Sequence, residues 1–213
     1  SASTQRRPFA PKRALNAGIV VINIDNKFDA EVMTAENVKI PFVGPDNRKG
    51  ARLVGEYLAK NLPQGAPIAI IEGIPSAFNG QQRKLGFDDA VKAAGLNMVT
   101  SQSADWEMAR ANQVVSAVIS EHPEIQGVMC ANDSMALGAV AALKTAGKID
   151  SVKVIGYDGI SAVAELIKEG KMLATIDQHA DQLAAYGIDY ALEVLRTKAV
   201  PADKETPVDL VAK

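Results

Sequence analysis

Short apolar, β-branched runs alternate with longer amphipathic stretches along almost the whole chain. That alternation is the pattern of parallel strands joined by right-handed helical crossovers, and it restricts the fold to the α/β class. The strand candidates are Gly18–Asp25, Lys39–Val43, Pro67–Glu72, Asn97–Ser101, Gly127–Ala131, Val152–Tyr157, Met172–Asp177 and Val208–Val211. Most are continuous Val, Ile and Ala runs, as strands covered on both faces require. Between them apolar residues recur at helical spacing: Leu53, Val54, Tyr57 and Leu58; Val114, Val115, Val118 and Ile119; Leu183, Tyr186, Ile188, Leu192 and Leu195. These read as core-facing helix stripes. Asp46 and Asp133 stand where a helix N-cap is needed, and Gly147 and Gly170 stand where helices stop.

A length of 213 residues allows one large domain or two small ones. With 47% hydrophobic and 23% charged residues the composition is that of an ordinary globular chain, which excludes disorder and collagen-like repetition. A formal charge of −2 lacks the positive field of a non-specific nucleic-acid binder, and the Arg6, Arg7, Lys12, Arg13 cluster is too short to supply it. The single cysteine, Cys130, cannot form an intramolecular disulfide. No apolar run approaches the ~18 residues of a membrane helix, and Ser1–Pro8 has no hydrophobic signal-peptide core. No repeat or long Gly/Ser linker divides the chain. The turn-rich segments Asn26–Lys39 and Arg196–Pro207 bracket a run of βα units from about Asp46 to Gln178.

Open α/β sheets bind ligands beyond the carboxyl ends of their strands, so the residues that follow each apolar run carry the functional reading. They are Asp25-Asn26, Glu72-Gly73, Asp105-Trp106, Asn132-Asp133, Tyr157-Asp158-Gly159 and Asp177-Gln178. Carboxylate and amide side chains that accept from one hydroxyl and donate to its neighbour suit a polyol with vicinal hydroxyls. An aromatic face such as Trp106 packs on the C–H face of a sugar ring, and Arg83 supplies five fixed donors. The simpler readings stand beside these. Asp or Asn at a βα junction is first an N-cap, Trp106 alone is equally a core anchor, and Arg83 alone is a solvated helix charge. The coincidence across several strands is what points to a carbohydrate site.

Enzyme motifs are missing: there is no G-x-S-x-G elbow, no G-x-x-x-x-G-K-[ST] loop and no G-x-G-x-x-G fingerprint. Cys130 lies inside an apolar strand, His122 reads as a helix-end residue and His179 as a hinge or rim residue, so they form neither a thiol nucleophile with its base nor a zinc site. No catalytic residue, cofactor or metal is expected.

From about Ala14 to the end, the chain resembles the sugar-binding proteins of ABC transporters, especially the ribose-binding type, which share a fold with the effector domains of LacI-type repressors. The carriers are GIVVINIDNK (18–27), VGPDNRKGARLVGEYLAK (43–60), QQRKLGFDDAV (81–91), SQSADWEMAR (101–110), CANDSMALGAVAAL (130–143), VKVIGYDG (152–159) and KMLATIDQHADQLAAYG (171–187). In this order they are specific together, whereas any one alone is weak.

The resemblance implies two α/β lobes of parallel sheets flanked by helices, with three crossings near Val43–Asp46, Gln178–His179 and Lys204–Pro207. It makes 1–45 with 179–204 the remnant of an N-terminal lobe that lacks its first βα units, and 46–178 with 205–213 a complete C-terminal lobe. It implies a periplasmic protein, its signal peptide absent from this chain, that closes on a monosaccharide or sugar alcohol and delivers it to a permease. Asp25 would bind sugar from the N-terminal lobe, with Asn26 standing where ribose-type relatives carry an arginine. Arg83 would clamp ring hydroxyls and Trp106 would stack where relatives place a phenylalanine. Asn132, Asp158 and Gln178 match polar contacts, and Tyr157 would line the pocket. An incomplete lobe with unpaired edges predicts either self-association as a dimer or a chain only marginally folded outside 46–178. The alternative of the same fold, the effector core of a LacI-type regulator, lacks a helix-turn-helix segment and the charge for DNA.

Overall fold

A computed structural model describes residues 9–213, and Arg6, Arg7 and the rest of Ser1–Pro8 lie outside the described residues. The chain begins with α1 (Ala10–Asn16), β1 (Asn23–Ile24), α2 (Ala30–Ala35) and β2 (Phe42–Pro45). There follow α3 (Asn47–Lys60), β3 (Pro67–Glu72), α4 (Phe78–Ala94), β4 (Asn97–Ser103), α5 (Met108–Glu121), β5 (Gly127–Cys130), α6 (Asp133–Thr145), β6 (Lys153–Ile155), α7 (Ser161–Lys168) and β7 (Ala174–Asp177). It ends with α8 (Ala180–Thr197), β8 (Lys204–Thr206) and β9 (Asp209–Ala212). The elements fall into two compact units: residues to Gly44 with Asp181–Thr206, and Pro45–Ala180 with Pro207–Lys213.

The second unit is a six-stranded sheet in the order β4-β3-β5-β6-β7-β9. Its strands run parallel except β9, which pairs antiparallel with β7 through Ala174↔Ala212 to Asp177↔Asp209. All four residues of β5 are buried, so the central strand is covered on both faces, as its unbroken apolar run requires. Helix α3 packs on α4, and α5 on α6. Asp46 caps α3 by accepting from the Lys49 amide at 2.9 Å, and the helix buries Gly50, Ala51, Val54, Gly55 and Leu58. Leu53, expected in that stripe, is 39% exposed because it falls one position off the buried face. The helix stops at Gly147 and Gly170 are real: both glycines take positive φ, +67° and +75°, just past α6 and α7.

The first unit is a three-stranded sheet, β1-β2-β8, with α1, α2 and most of α8. Here the structure departs most from the sequence reading. The expected strand over Gly18–Asp25 shrinks to Asn23–Ile24, because Phe42 and Val43 are its ladder partners and residues ahead of Asn23 have none among the described residues. Strand β8 forms inside a segment that reads as turn. In α8, Leu183 and Gly187 are buried, and a Cβ at Gly187 would meet Ile24 at 3.0 Å. Ile188, Leu192 and Leu195, expected in the core, are exposed at 62%, 59% and 51%. They lie on another face of the helix from Leu183 and Gly187, and nothing among the described residues covers them.

Among the described residues no helix is long and apolar enough to cross a membrane. The closeness of α3 to α4 depends on Gly86, where a Cβ would overlap the Arg48 carbonyl oxygen and come within 2.8 Å of Ala51 Cβ. Gly86→Ala is therefore expected to destabilise the chain by roughly 1–3 kcal/mol in denaturant unfolding. Leu53→Ala on the exposed face should change it by less than about 0.5 kcal/mol.

Candidate functional site

Arg83 lies in the second turn of α4, yet it is only 2% exposed. Its Nε donates to Asn47 Oδ1 at 2.8 Å, at the start of α3. Nη1 donates to the Ala131 carbonyl at 2.8 Å, just past β5, and to Asp158 Oδ1 at 3.1 Å, in the loop after β6. Nη2 donates to Gln178 Oε1 at 3.4 Å, just past β7. Gln178 Nε2 in turn donates to Asp158 Oδ1 at 3.1 Å. The guanidinium stacks 3.8 Å from the centre of the Tyr157 ring and lies 5.6 Å from Trp106. One planar cation thus gathers the carboxyl ends of three neighbouring strands.

Of the residues expected from sequence, this unit brings together Arg83, Tyr157, Asp158 and Gln178, with Trp106 and Asn132 beside them. Tyr157 is fully buried beneath Arg83 and does not line an open pocket. Gly50 makes room for it, since a Cβ there would stand 2.6 Å from the Tyr157 hydroxyl. Trp106 ends a turn in which Asp105 and Trp106 both take positive φ, +51° and +71°. Its ring is held against the backbone at Gly73, where a Cβ would overlap it, and a Cβ at Gly80 would lie 3.2 Å away. Asn132 Oδ1 accepts from the Met135 amide at 2.8 Å and Nδ2 donates to the Trp106 carbonyl at 3.4 Å.

Two expectations about capping change. Asn132 is the N-cap of α6, so Asp133 is not. Asp133 instead turns inward, fully buried, with Oδ1 accepting from Thr175 Oγ1 at 2.7 Å and Oδ2 from the Ile160 amide at 3.0 Å. Burial, with no cation to offset it, pushes this carboxyl up to about 7, against the hydrogen bonds from Thr175 and the backbone and with a small push from Asp158.

The other rim carboxylates are occupied locally. Glu72 accepts from Ser101 Oγ, and Asp105 is paired with Arg110 and accepts from Ser103 Oγ. Asp177 accepts from the His179 amide, and His179 Nε2 lies 2.7 Å from Asp209 Oδ2. His122 is the C-cap of α5 beside Glu124. Cys130 is buried and its thiol is pushed up by desolvation, away from the reactive thiolate. Among the described residues no three His, Cys, Asp or Glu side chains are placed to hold a metal.

Asp25 and Asn26 belong to the first unit. Both are exposed at the end of β1, where Asp25 takes φ +65° and donates its amide to Val43 O at 3.3 Å. Buried Asn23 holds this turn, donating to Asn26 O at 2.9 Å and accepting from the Phe28 amide at 2.7 Å.

Sequence reasoning passed over Asn23, Asn47 and Thr175. Each carried a signal: a polar residue inside an apolar run or on an apolar stripe implies a buried partner. Around the buried Arg83, Asp158 and Gln178 place a carboxylate and an amide in one patch, groups able to accept from and donate to adjacent hydroxyls.

The family model described as periplasmic binding protein domain matches residues 10–199. A D-ribose/D-allose-binding protein of Pseudomonas aeruginosa is 52% identical over 204 residues, covering 94% of this chain and 64% of that protein. A ribose import binding protein of Salmonella typhimurium is 37% identical over 201 residues, covering 94% of this chain and 65% of that one. The chain thus spans just under two thirds of the length of these relatives. A solved structure of an ABC transporter periplasmic solute binding protein from Actinobacillus succinogenes, with bound D-allose, superimposes with a TM-score of 0.91 at 38% identity, covering 95% of this chain and 72% of that one.

The raised Asp133 carboxyl carries a pH dependence of known sign. A folded value above the unfolded one means the folded state holds the proton more tightly, so stability is greatest at acid pH and is lost as pH rises from about 4 to about 7. Asp133→Asn removes that loss. In paired denaturant melts the variant should gain roughly 2 kcal/mol on wild type between pH 5 and pH 7.5. A difference that does not move with pH would show that Asp133 is ionised throughout.

Proposed function

Because the chain belongs to the periplasmic binding protein domain family, we propose that it is the solute-binding component of an ABC transporter, taking a monosaccharide or small polyol of ribose-like chemistry. The observation that carries the reading is the buried Arg83 joined to Asp158 and Gln178 at adjacent strand ends. A hydroxylated ligand at this patch exchanges its water contacts for a carboxylate that accepts, an amide that does both and a guanidinium that donates, all held in place before binding.

In this reading Arg83, Asp158, Gln178 and Asn132 make polar contacts, and the half-buried Trp106 offers ring surface to the C–H face of the sugar. Tyr157 acts from below, by holding Arg83 flat. Asp25 and Asn26 are further ligand contacts on the first unit. The two units are the two lobes of such a receptor, with residues 46–178 forming the body of the second. The names of the relatives and the D-allose in the neighbouring structure support a pentose or hexose ligand. The protein works in the periplasm and hands its ligand to a permease without chemical change. The exposed Ile188, Leu192 and Leu195 support association with a second copy.

Isothermal calorimetry against D-ribose, D-allose, other pentoses and hexoses and sugar alcohols tests the reading. At least one ligand should bind, and Arg83→Ala or Asp158→Ala should weaken it by at least ~1.5 kcal/mol while circular dichroism shows the fold retained. No heat with any member of the panel would overturn the proposal.

A further inference from the structure

Asp133 is a buried acid that the ligand reading leaves unused. Helix capping does not explain it, since Asn132 already caps α6. Packing does not explain it either, because an apolar residue of similar volume would avoid the desolvation of a carboxyl. Two of its bonds run to one loop. The Asp133 amide donates to the Tyr157 carbonyl at 2.7 Å, at the start of the loop after β6, and Oδ2 accepts from the Ile160 amide at 3.0 Å, at the loop's end. Thr175 Oγ1 on β7 donates to Oδ1 at 2.7 Å. A Cβ at Gly156 would overlap the carboxyl, so the approach from β6 is equally close.

Between the two gripped ends sits Asp158, with φ +124°, a conformation that a residue with a side chain adopts only when its surroundings impose it. The Asp158 amide donates to Ile176 O at 2.8 Å, and its Oδ1 meets both Arg83 and Gln178. We propose that Asp133 is a positioning residue for ligand recognition, clamping both ends of the Tyr157–Ile160 loop so that Asp158 is held in its strained conformation against Arg83 and Gln178. The two hydrogen bonds to the loop stand independently of the ligand; the consequence for affinity rests on the reading of Asp158 as a ligand contact.

The test pairs two measurements on the whole chain: amide hydrogen exchange without ligand, and calorimetry with D-ribose and D-allose. In Asp133→Asn the side-chain oxygen still accepts from Ile160, and the new amide donates to the Thr175 hydroxyl, which accepts as readily as it donates. That variant should keep loop exchange and sugar affinity within about threefold of wild type. Asp133→Ala should speed exchange at Gly159 and Ile160 at least about tenfold and leave β3 and β5 unchanged. It should also weaken sugar binding about tenfold or more. Unchanged loop exchange in Asp133→Ala, exchange raised evenly across the sheet, or equal damage from both variants would overturn the proposal. If Asp133→Ala does not fold, Thr175→Val takes its place, with loop exchange expected to rise several-fold and no rise counting against the clamp. A wild-type chain that binds neither sugar would refute the ligand reading for these sugars, while the exchange measurement would still decide what Asp133 holds.

Discussion

Burying a guanidinium costs several kcal/mol unless every hydrogen finds an acceptor and the charge a counter-ion, and much of the second unit follows from meeting that demand for Arg83. Asn47 comes from the start of α3, the Ala131 carbonyl from the end of β5, Asp158 from the loop after β6 and Gln178 from beyond β7. Tyr157 fills the space below, and Gly50 leaves room for Tyr157. The cation therefore acts as a template. Any shift of those strand ends relative to α4 would leave donors of the buried Arg83 unpaired.

The remaining acids on that edge divide into those satisfied where they stand and those that carry structure. Glu72, Asp105 and Asp177 are occupied by neighbours within a few residues or on the adjacent strand. Asp133 turns inward and holds a loop. Asp158 alone among them is joined to both the buried cation and an amide. Positive φ at Asp105, Trp106, Asp158 and His179 concentrates backbone strain along the same carboxyl ends. Strain of this kind persists only where packing and hydrogen bonds over-determine it.

How much of this was legible in the sequence depended on whether local pattern or distant partners decided the outcome. Strands β3 and β5 were legible, because a strand buried on both faces must be apolar throughout. The α8 stripe of Ile188, Leu192 and Leu195 was misleading, since periodicity reveals that a face is apolar but not what lies against it. β1 was overestimated and β8 missed for a related reason: a strand exists only as far as its ladder partner extends. Asp133 read as a cap because Asp and Asn side by side at a strand end are equivalent in sequence. Only the position of the Ile160 amide and the Thr175 hydroxyl tells them apart.

Residue type and order alone set the α/β class, the succession of βα units between Asp46 and Gln178, and the gathering of polar residues after the strands. Each of these rests on residue type and spacing along the chain. Tertiary structure decided which of those polar residues meet. Arg83 is separated from Asp158 by 75 residues and from Gln178 by 95, and their meeting is set by strand order and register. It also decided that Tyr157 lies underneath, that Asn47 joins the cluster and that Asp133 faces inward, because hydrogen bonds in a dry interior select among side chains that water would treat alike.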